Sequence, residues 1–275
     1  MAFFKLLSRG FENTKFALKH FGPWYKVLPL VALSYAKIHG FSTFMHHAVN
    51  LDLQKNGRKV PVRVSSLFES MGIIRKLAEG HYDLGQMLPP KPTIIDCGAH
   101  VGFSVLHFKD KYPDSMVYGI EPSKEQSELL AFNTADIEGV RISREAVSDK
   151  TGEAPLFLSN VVSVCNSLHE DMVGKVSKVE KVPLVTLKGF MAARGIQKVD
   201  LLKLDVEGSE LDALKGLGGR VKDVGAIVGE LHLKKVGMRE FRNFLVSKGF
   251  KFQVKKESDN DTLLFHALNK RIYEN

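Results

Sequence analysis

The stretch Thr93–Gly102, Thr-Ile-Ile-Asp-Cys-Gly-Ala-His-Val-Gly, constrains what this chain can fold into more than any other. A short apolar run, Thr93–Ile95, ends in Asp96 and opens through Gly98 and Gly102 into Phe103–Lys111, which is spaced as an amphipathic helix. The pattern is strand, glycine turn, helix. Glycines let the backbone of such a turn approach a ligand closely, and the helix start offers unpaired N–H groups at a positive dipole end. A nucleotide-like ligand fits there. A second apolar run, Met116–Ile120, ends in Glu121-Pro122. In a parallel sheet this places an acceptor-only carboxylate at the tip of the neighbouring strand, where it can take hydrogen bonds from both hydroxyls of a ribose.

Two cofactor classes use that arrangement. Dinucleotide binders need Gly-x-Gly-x-x-Gly so that backbone can lie against a pyrophosphate. Ala99, Val101 and Phe103 break that spacing here, and the glycines stand as Gly-x-x-x-Gly behind an acid. An acid in that place repels a pyrophosphate, but it can receive the ammonium of a methionine-like moiety, directly or through water. The residues favour S-adenosylmethionine over NAD. For the glycine pair alone, an ordinary strand–turn–helix accounts for the pattern equally well; Asp96, Gly98, Gly102 and Glu121 together weigh against it.

Five segments resemble the FkbM family of S-adenosylmethionine-dependent methyltransferases: Asp96-Cys-Gly-Ala-His-Val-Gly102, Gly119-Ile-Glu-Pro122, Leu129-Leu-Ala-Phe-Asn133, Ala146-Val-Ser-Asp149 and Lys203-Leu-Asp-Val-Glu-Gly-Ser-Glu210. They follow the family's order from about Thr93 to about Leu268. His100 stands where the family usually has Asn, and Cys97 where an aliphatic residue is commoner. The resemblance implies a class I methyltransferase-like α/β sheet. It also implies methyl transfer to a hydroxyl oxygen, commonly of a sugar or small metabolite, and a cofactor site at Asp96, Gly98, Ala99, His100, Gly102, Glu121, Pro122, Ala146 and Asp205.

The remaining elements follow from periodicity and turn residues. Asn56-Gly57 reads as a hairpin joining Val49–Lys55 to Lys59–Ser65, residues 67–84 as a short helix, and Leu88-Pro-Pro-Lys-Pro92 as a stiff connection. An accessory segment over 1–90 thus precedes a catalytic domain over 91–275. Ser123-Lys-Glu-Gln126 and Ser209-Glu-Leu-Asp212 match capping boxes. Val140–Ser143 is a third strand whose continuation, Glu145–Asp149, brings backbone near Ala146 to the carboxyl edge, with Asp149 either there or in the turn before Gly152. Glu153–Leu158 and Lys181–Leu187 are extra strands, placed at sheet edges by Pro155 and Pro183. Val199–Leu204 and Gly225–Val228 are the fourth and fifth core strands, Met238–Lys248 a helix stopped by Gly249, and Phe250–Lys256 with Thr262–Ala267 a terminal hairpin. The sum is a mostly parallel sheet with an antiparallel terminal hairpin.

An alcohol is a poor nucleophile until its proton is taken. Asp205 and Glu207 follow the fourth strand, and Glu230 and His232 follow the fifth. His232 is the natural general base, since imidazole titrates near neutrality. Asp205 orients the acceptor or the cofactor's amino group. Glu230 either holds the His232 tautomer or pairs with a lysine, and Glu207 also has a plain role as a negative charge near a helix start. Mg²⁺ held by Asp205, Glu230 and an acceptor diol is a secondary expectation behind metal-free catalysis, because no dedicated ligand triplet can be counted.

Charge narrows the partners. Lys and Arg number 39 against 31 Asp and Glu, a surplus of eight. Six basic residues over 1–45 (Lys5, Arg9, Lys15, Lys19, Lys26 and Lys37) face one acid, Glu12, so five of those eight charges fall there. The catalytic half is only mildly basic, which argues against a nucleic-acid groove. Around Ala2–Phe21 the residues Phe4, Leu7, Phe11 and Leu18 alternate with basic ones as in an amphipathic helix. It packs on the protein or a second copy, or lies on an anionic membrane. Val27–Ala36 is too short to span a bilayer, and two distant cysteines match no disulfide or metal spacing, so a cytoplasmic protein, in contact with a membrane at most peripherally, is expected. Two other classes remain: an NAD-type oxidoreductase, and a non-catalytic membrane-associated module.

Overall fold

The computed structural model describes residues 12–25, 27–29, 49–55, 58–85, 87–159, 163–258 and 261–273. The chain divides into two compact units, Met1–Ala78 and Glu79–Asn275. In the first, strands β1 (Phe21–Gly22), β2 (Val49–Lys55) and β3 (Arg58–Val64) form an antiparallel sheet in that order. Strands β2 and β3 pair in register from Val49 with Val64 to Lys55 with Arg58, and the expected turn at Asn56-Gly57 lies outside the described residues. Leu51, Leu53, Val62 and Val64 alternate into the core, as period two requires. Helix α1 (Leu67–Ala78) buries Leu67, Met71 and Ile74, one helical stripe. A helix over residues 12–20 places Phe16 under the Arg75 guanidinium of α1, 4.9 Å from the ring centroid. The rest of the basic aromatic start, with Phe4, Leu7 and Phe11, and the pair His46-His47 lie outside the described residues. No helix among the described residues is long and apolar enough to cross a membrane.

The second unit is built on seven strands: β4 (Thr93–Cys97), β5 (Met116–Ile120), β6 (Val140–Ser143), β10 (Val199–Leu204), β11 (Val224–His232), β12 (Phe250–Ser258) and β13 (Thr262–Asn269). They lie in the order β12-β13-β11-β10-β4-β5-β6, and β13 runs against its neighbours. Helices α2 (Phe103–Lys111), α3 (Lys124–Thr134), α4 (Leu187–Ala193), α5 (Glu210–Lys215) and α6 (Met238–Ser247) join them, and α7 (Lys270–Tyr273) follows. This is the class I methyltransferase-like order. All residues of β10 and β11 are buried, as expected of central parallel strands covered on both faces. Their core is continuous from Ile95 and Cys97 through Leu202 and Leu204 to Phe241, Leu245 and Phe265.

The chain runs outward from β4 through β5 to β6, then returns to β10 on the other side of β4. That reversal makes a crevice at the carboxyl ends of β4 and β10, where ligands bind in open α/β sheets. Gly98 permits the close approach: its φ is +78°, and a Cβ there would stand 1.8 Å from the Asp205 carbonyl oxygen.

Three local expectations are corrected. Strands β7 (Ala146–Ser148), β8 (Gly152–Ser159) and β9 (Val176–Thr186) form a separate sheet ordered β7-β9-β8, so Ala146 does not continue β6. Pro155 lies on an edge strand, but Pro183 lies on the central one. Its missing N–H is tolerated because β7 pairs with β9 only from Leu184 onward. Neither Ser123 nor Ser209 caps its helix with its hydroxyl. Carboxylates instead bind backbone just ahead of each helix: Ser123 N donates to Glu121 Oε1 and Gly208 N to Glu210 Oε1.

Candidate active site

Lys203 and Asp96 are register partners on adjacent parallel strands, so their side chains share a face. The Lys203 ammonium lies 2.8 Å from Asp96 Oδ1, 3.9 Å from Asp205 Oδ2 and donates to the Gly98 carbonyl at 3.0 Å. Burial works against the Lys203 charge, but Asp96 and Asp205 outweigh it and hold its pKa above the ordinary lysine value. Ser104 Oγ donates to the other Asp96 oxygen. Asp96 is fully buried, and its carboxylate ties the glycine turn to β10 and α2 through Lys203 and Ser104. A lysine inside the apolar run Val-Asp-Leu-Leu-Lys-Leu was the available signal for this pair.

Glu121, at the end of β5, accepts from the His100 N–H and the Ser123 N–H, each at 3.0 Å. Burial, offset in part by those two hydrogen bonds, pushes its carboxyl up to about 7. Two of roughly four lone-pair directions are thereby used, which leaves acceptor capacity for a vicinal diol. The chemistry fits a ribose. His100 itself has φ +49°, and its Nε2 lies 2.9 Å from Ser163 Oγ in the loop after β8. Burial lowers its pKa to about 4, so the ring is neutral. Gly102, at φ +95°, is the residue before α2, and Ala99 is buried with its N–H on the Ile120 carbonyl. The Pro122 carbonyl accepts from Arg144, and Ala146 is held against Leu184 of β9.

On the other side of the crevice, Asp205 and Glu230 meet at a tyrosine. Tyr82 donates to Asp205 Oδ2 at 3.1 Å and stands 3.4 Å from Glu230 Oε1. Burial first, then the charges of Asp205 and Glu230, push its phenol well above the ordinary value, so it keeps its proton. Sequence reasoning missed Tyr82, which was absorbed into a helix over 67–84; no local pattern marks it.

Strand β11 does continue through Glu230 to His232, as residues two apart facing one way require. The imidazole, however, is gripped from both ends: Nδ1 lies 2.7 Å from Glu210 Oε1, and Nε2 3.3 Å from Glu207 Oε2. Burial alone would lower the His232 pKa, but the hydrogen bonds and charges of Glu207 and Glu210 push it up to about 11. This corrects the assignment of His232 as a base titrating near neutrality. Burial raises the Glu207 carboxyl, against the hydrogen bond from His232. Glu210, which closes the family-like segment Lys203–Glu210 and was given no site role, is fully buried. Asp205, Glu207 and His232 also bring three ligand atoms within 4.8 Å of one another, a triplet that the spacing along the chain did not reveal.

Residues 96–252 match the sequence profile of the methyltransferase FkbM domain. Methyltransferase sdnD of Sordaria araneosa is 31% identical over 55% of this chain and 70% of its own. The 31-O-demethyl-FK506 methyltransferase FkbM of Streptomyces tacrolimicus is 25% identical over 60% and 75%, respectively. The 2-O-methyltransferase NoeI of Sinorhizobium fredii is 23% identical over 46% and 58%. The profile spans more than half of the chain and includes the carboxyl ends of β4, β5, β10 and β11. The protein belongs to the FkbM methyltransferase family.

Proposed function

We propose that the protein transfers the methyl group of S-adenosylmethionine to a hydroxyl oxygen of a sugar or a similar small hydroxylated metabolite. The observation that carries this reading is Glu121, a carboxylate fixed by two backbone N–H groups at the end of β5, with acceptor capacity to spare beside the glycine turn. The names of two relatives, a 2-O-methyltransferase and a 31-O-demethyl-FK506 methyltransferase, support an oxygen acceptor. The cofactor supplies a methyl on a sulfonium centre. The chain's own task is to hold the acceptor oxygen in line and to accept its proton.

Glu121 holds the ribose, with His100, Ala99 and Gly102 shaping the turn around it and Gly98 setting its distance from β10. Pro122 and Ala146 line the adenine side. Asp205 and Glu230 face the acceptor side, kept together by Tyr82. Asp205 orients the acceptor, and Glu230 takes the proton. His232, held by Glu207 and Glu210, does not take the acceptor's proton. Glu230→Gln should lower turnover about 10²–10⁴-fold with cofactor affinity unchanged.

The test is incubation with methyl-labelled S-adenosylmethionine and a fractionated extract of small molecules and glycans. Label in a base-stable ether of a hydroxyl supports the reading. Transfer to nitrogen or carbon sinks the oxygen acceptor, and calorimetric binding of NAD in preference to S-adenosylmethionine sinks the whole of it.

A further inference from the structure

We infer that Asp205, Glu207 and His232 form a site for a divalent transition-metal cation, on which the acceptor hydroxyl is presented. The presentation of the hydroxyl rests on the proposed O-methyl transfer; the cation site itself does not.

The ligand atoms come from two elements. Asp205 and Glu207 lie on the turn leaving β10, and His232 ends β11, the next strand in the sheet. One atom from each of the three lies within 4.8 Å of the others. The 3.3 Å between His232 Nε2 and Glu207 Oε2 is long for an ion-paired hydrogen bond, which usually measures about 2.7–2.9 Å. It is close to the roughly 3 Å that separates adjacent ligands bound at about 2.1 Å around one ion.

A second observation stands behind the ring. Glu210, fully buried, takes the Nδ1 side of His232 at 2.7 Å through Oε1, and its Oε2 makes no hydrogen bond. A carboxylate on one imidazole nitrogen, with the other nitrogen turned toward further carboxylates, is the arrangement that orients a metal-binding histidine. Glu207 and Glu210 hold the His232 ring, and Tyr82 joins Asp205 to Glu230 nearby, so four carboxylates gather around the ends of β10 and β11. Two carboxylate oxygens and an imidazole nitrogen suit Mn²⁺, Fe²⁺ or Zn²⁺ better than Mg²⁺, which prefers oxygen alone. Set beside Glu230, such an ion would make a bound hydroxyl more acidic and so ease the transfer of its proton to that carboxylate.

The experiment is a titration of the full-length protein with MnCl₂, following free Mn²⁺ by its electron paramagnetic resonance signal with neither cofactor nor acceptor present. One bound equivalent is expected, displaced by Zn²⁺ but not by equimolar Mg²⁺. Glu210→Gln should weaken Mn²⁺ binding about 10- to 100-fold. Glu207→Gln should weaken it by at least as much with the thermal midpoint preserved, because that side chain is on a turn and partly exposed. If folded wild-type protein binds no stoichiometric Mn²⁺, or neither substitution moves the affinity, the site is refuted; equal competition by Mg²⁺ refutes the choice of cation. The readout needs no turnover, so failure of the methyl-transfer reading leaves it standing, and Mn²⁺ binding without any methylated product counts against that reading alone.

Discussion

Glu121 and Lys203 show how much one buried charge decides. The Glu121 carboxyl, raised by burial from an ordinary 4.5 to about 7, binds a proton in the folded state that the unfolded chain has already lost between those values. Its contribution to stability therefore falls as pH rises through that window. Cofactor binding should run the opposite way, since ribose hydroxyls donate to the ionised form. Calorimetry from pH 6 to 8.5 should show S-adenosylmethionine affinity declining below about pH 7. Glu121→Gln should bind more weakly by about 1.5–3 kcal/mol and lose that pH dependence; a variant as pH-dependent as the wild type would remove Glu121 from the site. Lys203→Met leaves Asp96, fully buried, without its cation. Breaking such a pair costs about 3–5 kcal/mol, and the shift in urea midpoint measures it.

At the scale of elements, the contact between β4 and β10 forms the crevice. A methyl group on Gly98 would meet the Asp205 carbonyl, whereas one on Gly249, also left-handed at φ +89°, meets nothing within 4 Å. Gly249→Ala should thus cost about 1–2 kcal/mol for its backbone alone. Gly98→Ala adds the separation of two strands, roughly 2–5 kcal/mol in all. Equal denaturant midpoints for the two variants would mean that the strands are not closely set there. The elements themselves were legible: the bounds expected for β5, β6, β10, α2 and the β2 hairpin strand match the structure. The small sheet was not. Where β7 pairs depends on β9, which arrives about 40 residues later, and no local pattern carries that information.

For the whole molecule, every side chain placed in the crevice, from Tyr82 to His232, belongs to the unit Glu79–Asn275. A fragment beginning at Glu79 should therefore unfold in one cooperative transition and bind S-adenosylmethionine with the affinity of the full chain. Loss of binding by a folded fragment would assign part of the cofactor site to residues 1–78.

The resemblance of five segments pointed to the family and the reaction class, and local chemistry determined the strand–turn–helix at Thr93–Lys111 and the carboxylates at the ends of β5, β10 and β11. These are matters of spacing and backbone freedom, which neighbours along the chain set. The state of each polar group was decided only in three dimensions. Tyr82 reaches Asp205 across 123 positions, Lys203 meets Asp96 through strand register, and His232 is gripped by Glu210, 22 positions away, and by Glu207. Charge and protonation depend on distances across strands in a medium of low polarity, and a residue pattern read along one strand contains neither.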